Sequence, residues 1–255
     1  MLLAIDIGNT NVVCGLSDNN HWTEQFRIHT VVNKTADEYE VIYRTLLASR
    51  KIDLKQIDRV VVSSVVPSLI LPFREMIQKL FGQEPLIVGP DLYPRLNVGI
   101  INPYEIGTDL VANAVAAHNK YQGNCIVVDF GTALTFTAIK ADGNILGVSI
   151  APGLKTAMAS LSQKAAQLPN VDIAVPPSCI GTNTVHAMQA GIVLGYKGLI
   201  ESLLNAIKEE LGGKCTVIAT GGLSTVMISI TDCFDHHEPL LTLDGLKIIG
   251  NQFYT

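Results

Sequence analysis

The sequence predicts an α/β protein built from two similar lobes. Three observations support this: one strand-turn-strand pattern occurs twice, strand-like and helix-like segments alternate along the chain, and 48% of the residues are hydrophobic whereas only 16% are charged. Alternating strands and helices are typical of α/β folds, and a low charged fraction is consistent with extensive buried sheet. At 255 residues the chain is long enough for two such lobes.

The repeated pattern is an apolar strand that ends at an Asp-x-Gly turn and returns as a second strand. The turns are Asp6-Ile7-Gly8-Asn9-Thr10 and Asp129-Phe130-Gly131-Thr132-Ala133. Aspartate at a strand end can bind a cation or its waters, glycine admits a ligand close to the backbone, and the Asn and Thr side chains can donate hydrogen bonds to phosphate. Two such turns facing each other would bind a polyphosphate. The alternative is a pair of ordinary hairpin turns, because Gly and Asn tolerate positive φ.

A third glycine motif favours the nucleotide interpretation. Thr220-Gly221-Gly222 follows the β-branched run 215–218, and such a turn can let a flat nucleoside lie close to the backbone. The chain contains neither a P-loop nor a Rossmann glycine motif, so a bound nucleotide requires another device.

The other elements of the first half alternate in the same way. Thr35 and Glu38 form a predicted capping box at the start of a helix. The nearly unbroken β-branched run Val60–Val66 predicts a strand covered on both faces. The further predicted elements are a strand at 22–28, a helix with apolar residues in phase from Leu69 to Leu80, and a short strand at 86–88.

The second half repeats the plan after an irregular segment, 89–103, that contains three prolines and two glycines. We place the hinge in this region and predict lobes at 1–109 and 110–255. The predicted elements are a helix at about 110–121, strands at 125–129, 135–140 and 145–150, and helices that include 185–192 and 196–211.

Composition disfavours several classes of protein. The net charge is −5 and no dense Lys/Arg cluster occurs, which argues against nucleic-acid binding. No apolar run approaches the length of a membrane helix, and Met1–Ile5 is too short for a signal-peptide core. The five cysteines are scattered without a C-x-x-C pair, and Cys14, Cys125 and Cys215 lie in strand-like runs where buried thiols are expected. A reducing cytoplasm is therefore the expected compartment.

In combination, these motifs resemble the actin-like ATPase superfamily of sugar kinases, Hsp70 and actin, and within it the type III pantothenate kinases. The segments that carry the resemblance are 6–11, Asn102-Pro103-Tyr104-Glu105-Ile106-Gly107-Thr108-Asp109, 129–133, Pro152-Gly153-Leu154, 181–184, 187–191 and 219–222. Their order and spacing cover essentially the whole chain. The resemblance implies duplicated actin-like (ribonuclease H-like) lobes, each a mixed sheet flanked by helices, with the nucleotide cleft between them.

The resemblance also implies an activity. It is the ATP-dependent phosphorylation of pantothenate to 4'-phosphopantothenate, the first step of coenzyme A biosynthesis. The implied cofactors are Mg²⁺ with ATP and a monovalent cation, K⁺ or NH₄⁺. The implied assembly is a cytoplasmic homodimer with the active site at the interface.

The same resemblance assigns roles to individual residues. Asp109 is the implied general base, Asp129 the implied ligand of the monovalent cation, and Asp6 an implied contact of Mg²⁺ through phosphates and waters. The implied ATP contacts are Asp6, Ile7, Gly8, Asn9, Thr10, Asn11, Val12, Val13 and Thr132. The implied pantothenate contacts are Gly107, Thr108, Asp109, Leu110 and Thr184, with Thr184 supplied by the partner subunit.

The chain departs from the family pattern at two positions. Most members have Arg directly after the catalytic Asp and many have Tyr two residues before Asn-Pro, whereas this chain has Leu110 and Ile100. An arginine-carboxylate contact contributes about 1.5–3 kcal/mol, so its loss predicts pantothenate binding weaker by about tenfold or more unless a cation such as Arg95 or Lys155 substitutes. A non-catalytic accessory or regulatory protein, or an actin-like phosphotransferase or phosphatase acting on a different small molecule, are the alternatives.

Asp109 also has an ordinary structural interpretation. An aspartate before a helix is a common N-cap, whose side chain accepts hydrogen bonds from the first free N–H groups. In the catalytic interpretation, the helix N-terminus keeps the carboxylate ionised until it takes the hydroxyl proton.

Overall fold

The repeated pattern forms two antiparallel hairpins, one in each of two units of the chain. The computed structural model describes residues 1–18 and 21–254. The first unit comprises Met1–Ala116 and Leu241–Thr255, and the second comprises Ala117–Leu240. The α/β class is confirmed, because each unit contains a mixed sheet flanked by helices.

The first unit is organised around a five-stranded sheet. Its strands are β1 (Leu2–Ile7), β2 (Asn11–Asp18), β3 (His21–His29), β4 (Arg59–Ser64) and β5 (Leu86–Ile87). They lie in the order β3-β2-β1-β4-β5. The first three strands are antiparallel, whereas β4 pairs in parallel with β1 and β5 in parallel with β4. The parallel pair places Asp6 opposite Ser63 and Ile7 opposite Ser64.

Helices cover both faces of this sheet. On one face, α1 (Ala36–Ser49) and α2 (Ile70–Phe81) bury Tyr39, Tyr43 and Phe73 against alternate residues of β1 and β4. The predicted capping box of Thr35 and Glu38 is present at the start of α1. On the other face, the carboxyl-terminal helix (Leu241–Phe253) brings Gly250 against Leu2 and Val61. A sheet covered on both faces explains the continuous apolar runs of its central strands.

The next helix, α3 (Thr108–Lys120), carries the Gly-Thr-Asp motif at its start. Residues 111–117 of this helix are all buried. The carboxyl-terminal helix packs so tightly on α3 that a Cβ atom at Gly245 would collide with the backbone of Ala112. Thr242 also donates a hydrogen bond from Oγ1 to Asn113 Oδ1 at 2.8 Å. These contacts fix the helix that positions the candidate base.

The last strand of the first unit is the two-residue strand β6 (Gly99–Ile100). The second unit has its own sheet, with strands β7 (Asn124–Phe130), β8 (Ala133–Ile139), β9 (Asn144–Pro152), β10 (Cys215–Thr220) and β11 (His236–His237). These strands lie in the order β11-β10-β7-β8-β9. The helices are α4 (Leu154–Lys164), α5 (Thr184–Gln189), α6 (Gly195–Leu211) and α7 (Ser224–Ile228), so the carboxyl-terminal helix is α8. Phe130, Phe136 and Ile126 pack against α6 to form the core.

Residues 184–211 form one continuous helical stretch because a π-helical turn, Ala190–Leu194, joins α5 to α6. By length and composition this stretch could cross a membrane. No membrane-spanning segment was expected from the apolar runs of the sequence. In the structure Val193, Ile200 and Leu204 of this stretch are buried in the core of the second unit.

The division into units differs from the predicted boundary in two places. Residues 110–116 and the helix α8 belong to the first unit, not to the second. The physical reason is packing: α8 lies against β1 and β4 and against α3, contacts that chain order does not reveal. The three strand cysteines are buried and free, as predicted.

Candidate active site

The Asp6 turn of the first unit is a tight hairpin. Asp6 and Ile7 are the last two residues of β1, and the N–H of Gly8 donates to the carbonyl of Asn11 at 3.0 Å. Thr30 clamps the turn from β3, because its hydroxyl donates to the carbonyl of Gly8 at 2.6 Å. Of the predicted ATP contacts here, Asn9 and Thr10 are exposed, Ile7 and Val12 are buried, and Asp6, Gly8, Asn11 and Val13 are half-buried.

The glycines of both Asp-x-Gly turns are not explained by positive φ. Gly8 and Gly131 are absent from the positive-φ residues, which include Gly221. Positive φ therefore does not account for these two glycines, although both turns join antiparallel strands as ordinary hairpins do. A Cβ at Gly8 would lie 3.1 Å from the Asn11 carbonyl oxygen, and a Cβ at Gly131 would lie 3.3 Å from that of Ala133. Glycine is favoured at both turns because the returning strand passes so close.

A chain of hydroxyl groups connects Asp6 to the start of α3. Ser63 Oγ donates to Asp6 Oδ1 at 2.9 Å and lies 2.9 Å from Thr108 Oγ1. The N–H of Ser64 donates to Thr108 Oγ1 at 3.1 Å. Thus Ser63, which the sequence analysis did not single out, joins the first Asp-x-Gly turn to the Gly-Thr-Asp motif.

Asp109 lies inside the first turn of α3, not at its N-cap position. The helix begins at Thr108, and the carboxylate accepts a hydrogen bond from the N–H of Leu110 at 2.8 Å. Burial raises the pKa of Asp109, and the N–H groups of Leu110 and Asp109 itself oppose that rise only in part. Asp109 is therefore the second residue of the helix rather than its N-cap, and burial outweighs the effect of the two N–H groups on its pKa. A higher pKa makes the ionised carboxylate a stronger proton acceptor.

Gly107, Thr108 and Leu110 surround Asp109 closely. A Cβ atom at Gly107 would collide with Asp109 Oδ1, so the glycine leaves room for the carboxylate. Leu110 is buried, with 9% of its surface exposed. Arg95 was named above as a cation that could replace the arginine missing at position 110. Its guanidinium lies over the ring of Phe253, 4.1 Å from the ring centre.

Tyr93 is a second residue that the sequence analysis missed. Its side chain is buried, and its hydroxyl has no hydrogen-bond partner among the residues that the structure describes. Burial, followed by the negative charge of Asp109, raises the pKa of Tyr93 to about 12. The phenol therefore stays neutral, and it lies within electrostatic range of the candidate base.

In the second unit, three motifs that are distant in sequence converge at the Asp129 turn. Asp129 is the last but one residue of β7. A Cβ at Gly221 would lie 2.5 Å from Asp129 Oδ1, and one at Gly153 would collide with the Gly131 carbonyl. The N–H of Gly153 donates to the carbonyl of Thr132 at 2.9 Å, and the Thr132 side chain is exposed. The glycines of the Pro-Gly-Leu and Thr-Gly-Gly motifs thus pack directly on this turn.

A third residue missed from the sequence supports the same loop. Ser224 Oγ lies 2.6 Å from the Gly221 carbonyl and 2.9 Å from Nε2 of His237.

Thr184 lies in a different part of this unit and is the first residue of α5. It lines a cavity of about 500 Å³ together with Gly181, Asn183, Ala187 and others.

The available ligands suit oxygen-bound cations but not an all-protein metal site. Within residues 1–18 and 21–254, no group of three His, Cys, Asp or Glu side chains could hold a metal ion. Mg²⁺ typically uses one or two carboxylates together with substrate phosphates. The single oriented carboxylate of Asp6 fits that kind of site. Asp129, whose Oδ1 lies close to Gly221, has a carboxylate of the kind that binds cations with oxygen ligands.

Comparison with known proteins agrees with this architecture. A sequence profile described as type III pantothenate kinase matches residues 2–206. The type III pantothenate kinase of Moorella thermoacetica is 45% identical over 249 residues, with 98% of each chain covered. That of an Exiguobacterium species is 41% identical over 249 residues, covering 98% of each chain. The crystal structure of the inorganic polyphosphate/ATP-glucomannokinase from Arthrobacter sp. strain KM superposes with a TM-score of 0.54 at 15% identity, covering 98% of both chains, and supports the fold alone.

The profile spans most of the chain, and the relatives are aligned almost from end to end. The solved structure agrees with a fold of the sugar-kinase type. The chain belongs to the type III pantothenate kinase family.

Proposed function

We propose that this protein transfers the γ-phosphoryl group of ATP to the terminal hydroxyl of pantothenate, with Asp109 as the general base. The observation that carries the proposal is the arrangement of Asp109 in the first unit. The Asp109 side chain is half-buried, this burial raises the pKa of its carboxyl group, and the residue directly follows Thr108, which Ser63 links to Asp6. Family membership supports the substrates, ATP and pantothenate.

The chemistry requires positioning more than covalent help. As the hydroxyl oxygen attacks the γ-phosphorus, its O–H bond breaks and the proton moves to the Asp109 carboxylate. The new O–P bond forms while the bond between the γ-phosphorus and the bridging oxygen breaks, and ADP leaves. A positioned base of this kind contributes about 10²–10⁴ to the rate.

The nucleotide contacts are proposed from the turns described above. Backbone amides and side chains at 6–13 would bind the phosphates, and the exposed Thr132 would contribute a further ATP contact. Asp6 would hold Mg²⁺ through phosphates and waters, and the bound ion would neutralise charge on the phosphates. Asp129 would hold a monovalent cation, K⁺ or NH₄⁺.

The acceptor contacts are proposed at Gly107, Thr108, Asp109 and Leu110 of the first unit and at Thr184. We further propose that the protein works as a cytoplasmic homodimer in which Thr184 comes from the partner subunit. The cavity beside Thr184 supports a ligand contact there, because it presents hydroxyl, amide and apolar groups together.

A coupled assay of ADP release tests the proposal. With purified protein, Mg²⁺-ATP and K⁺, ADP release should depend on added pantothenate. ADP release that is equally fast without pantothenate indicates a hydrolase, and release that requires a different small molecule indicates another phosphotransferase. Absence of any release from the folded dimer supports the accessory or regulatory alternative. Replacing K⁺ by Na⁺ tests the cation proposal in the same assay.

A further inference from the structure

Ser63 lies at the junction of three elements of the first unit. It is the last but one residue of β4, directly opposite Asp6 of β1 in the parallel pair, and its hydroxyl lies 2.9 Å from Thr108 of α3. The residue is completely buried. A fully buried hydroxyl needs hydrogen-bond partners, but many groups could serve. The partners of Ser63 belong to two candidate binding motifs, and this choice calls for a specific explanation.

The two ends of the hydroxyl chain determine its direction. A backbone N–H can only donate, and the Asp6 oxygen accepts from Ser63. Thr108 therefore accepts from the N–H of Ser64 and donates to Ser63 Oγ, and Ser63 donates to Asp6 Oδ1. Each hydroxyl makes one donor and one acceptor contact, and each bond polarises the next.

This direction makes Ser63 indispensable to the chain. Without its hydroxyl, Asp6 Oδ1 loses this donor and the Thr108 hydroxyl loses this acceptor. The side chains of Asp6 and Thr108 then no longer restrict each other's orientation through Ser63. Ser64, the next residue, is different: within residues 1–18 and 21–254 its hydroxyl makes hydrogen bonds only to the backbone of Val66, at 3.0 and 3.1 Å.

We propose that Ser63 is a positioning residue that couples nucleotide binding at the Asp6 turn to acceptor binding at Gly107–Leu110. The inference rests on the proposed function, in which Mg²⁺-ATP uses Asp6 and pantothenate uses Thr108 and its neighbours. A ligand that orders the Asp6 carboxylate also orders Thr108 through Ser63. The second ligand then binds a site that is already ordered, and its affinity rises.

Calorimetric titration tests the coupling without requiring turnover. The affinity of a non-hydrolysable Mg²⁺-ATP analogue is measured with and without saturating pantothenate. For the wild-type protein we expect the two affinities to differ by about fivefold or more, within the usual range of coupling between sites. The reciprocal titration of pantothenate must give the same factor, because coupling of binding is reciprocal.

The variants separate positioning from general stability. In Ser63→Ala the coupling factor should fall below about twofold, whereas Ser64→Ala should retain the wild-type factor. If Ser63→Ala does not fold, Thr108→Val interrupts the same hydrogen-bond chain at the next hydroxyl. This substitution hardly changes the shape of the side chain and should also abolish the coupling between the two ligands. Thr108→Ser, which keeps the hydroxyl, should restore it.

Three results would overturn the inference: wild-type coupling in Ser63→Ala, wild-type coupling in Thr108→Val, or no coupling in the wild-type protein. The assay of ADP release reports separately on the proposed function. Coupled binding without phosphorylation of pantothenate would count against the kinase proposal alone. Phosphorylation by a wild-type protein that lacks coupling would count against the role of Ser63 alone.

Discussion

Replacing Asp109 by asparagine separates the chemical role of this residue from its structural one. The substitution keeps the size of the side chain and an oxygen that can accept the 2.8 Å hydrogen bond from the Leu110 N–H. It removes the negative charge and the basic oxygen. If the carboxylate is the general base, turnover should fall by about 10²–10⁴, equivalent to about 3–5 kcal/mol in the barrier. Affinity for the nucleotide should be retained.

The same substitution should not reduce stability at neutral pH. The pKa of Asp109 is raised by burial, so the folded state binds the proton more tightly than the unfolded chain. Its contribution to stability is therefore present at low pH and is lost as the pH rises through the folded-state pKa. Above that window the ionised carboxylate destabilises the fold, and asparagine avoids this cost. The thermal midpoint of Asp109→Asn at pH 7 should equal or exceed that of the wild type.

Coupled ADP release measures turnover, calorimetry measures nucleotide binding, and thermal unfolding at several pH values measures stability. Glu105→Gln is the matched control, because Glu105 is an exposed carboxylate only four residues away. It should leave turnover and the thermal midpoint close to wild-type values. Turnover of Asp109→Asn within about threefold of wild type would refute the role of base. A clearly lower thermal midpoint would refute the account of burial.

Three further predictions use the geometry of single residues. Because the pKa of Asp109 is raised, kcat/KM should begin to fall on acidification at a pH above the ordinary carboxyl value of 3.8. A fall in kcat/KM centred at or below that pH would contradict the prediction. Tyr93→Phe removes a hydroxyl that has no partner in the described part of the chain and should leave the free energy of unfolding unchanged or higher. Tyr196→Phe removes a 2.6 Å hydrogen bond to a backbone carbonyl and should lower the free energy of unfolding by about 0.5–1.5 kcal/mol. Equal losses of unfolding free energy for the two variants in urea titration would contradict this comparison. Gly221 has φ +87° and a crowded Cβ position, so Gly221→Ala should destabilise the protein by more than about 1 kcal/mol. Gly222 has open space around it, so Gly222→Ala should not. The reverse order of thermal midpoints would refute the packing argument.

Local signals in the sequence predicted most of the elements. Thr35 and Glu38 predicted the start of α1 because a capping box depends only on residues three apart. The β-branched run at 60–66 predicted β4, which ends at Ser64. The turns at Asp6 and Asp129 were predicted because each interrupts an apolar strand with polar residues and glycine.

Contacts between distant segments were beyond prediction from local patterns. The run that contains Ser63 reads simply as a buried strand, and only the parallel register of β1 and β4 places it opposite Asp6. The association of α8 with the first unit depends on its packing against β1, β4 and α3. Tyr93 gave no signal in the sequence because only the folded surroundings of a hydroxyl determine whether it finds a hydrogen-bond partner.

Identification of the product tests the central claim most directly. Purified protein is incubated with Mg²⁺-ATP, K⁺ and pantothenate, and the products are analysed by mass spectrometry and phosphorus NMR. We expect one phosphomonoester on the terminal hydroxyl of pantothenate for each ADP released. ADP formed with inorganic phosphate and unchanged pantothenate, or a folded protein that forms no ADP, would contradict the account.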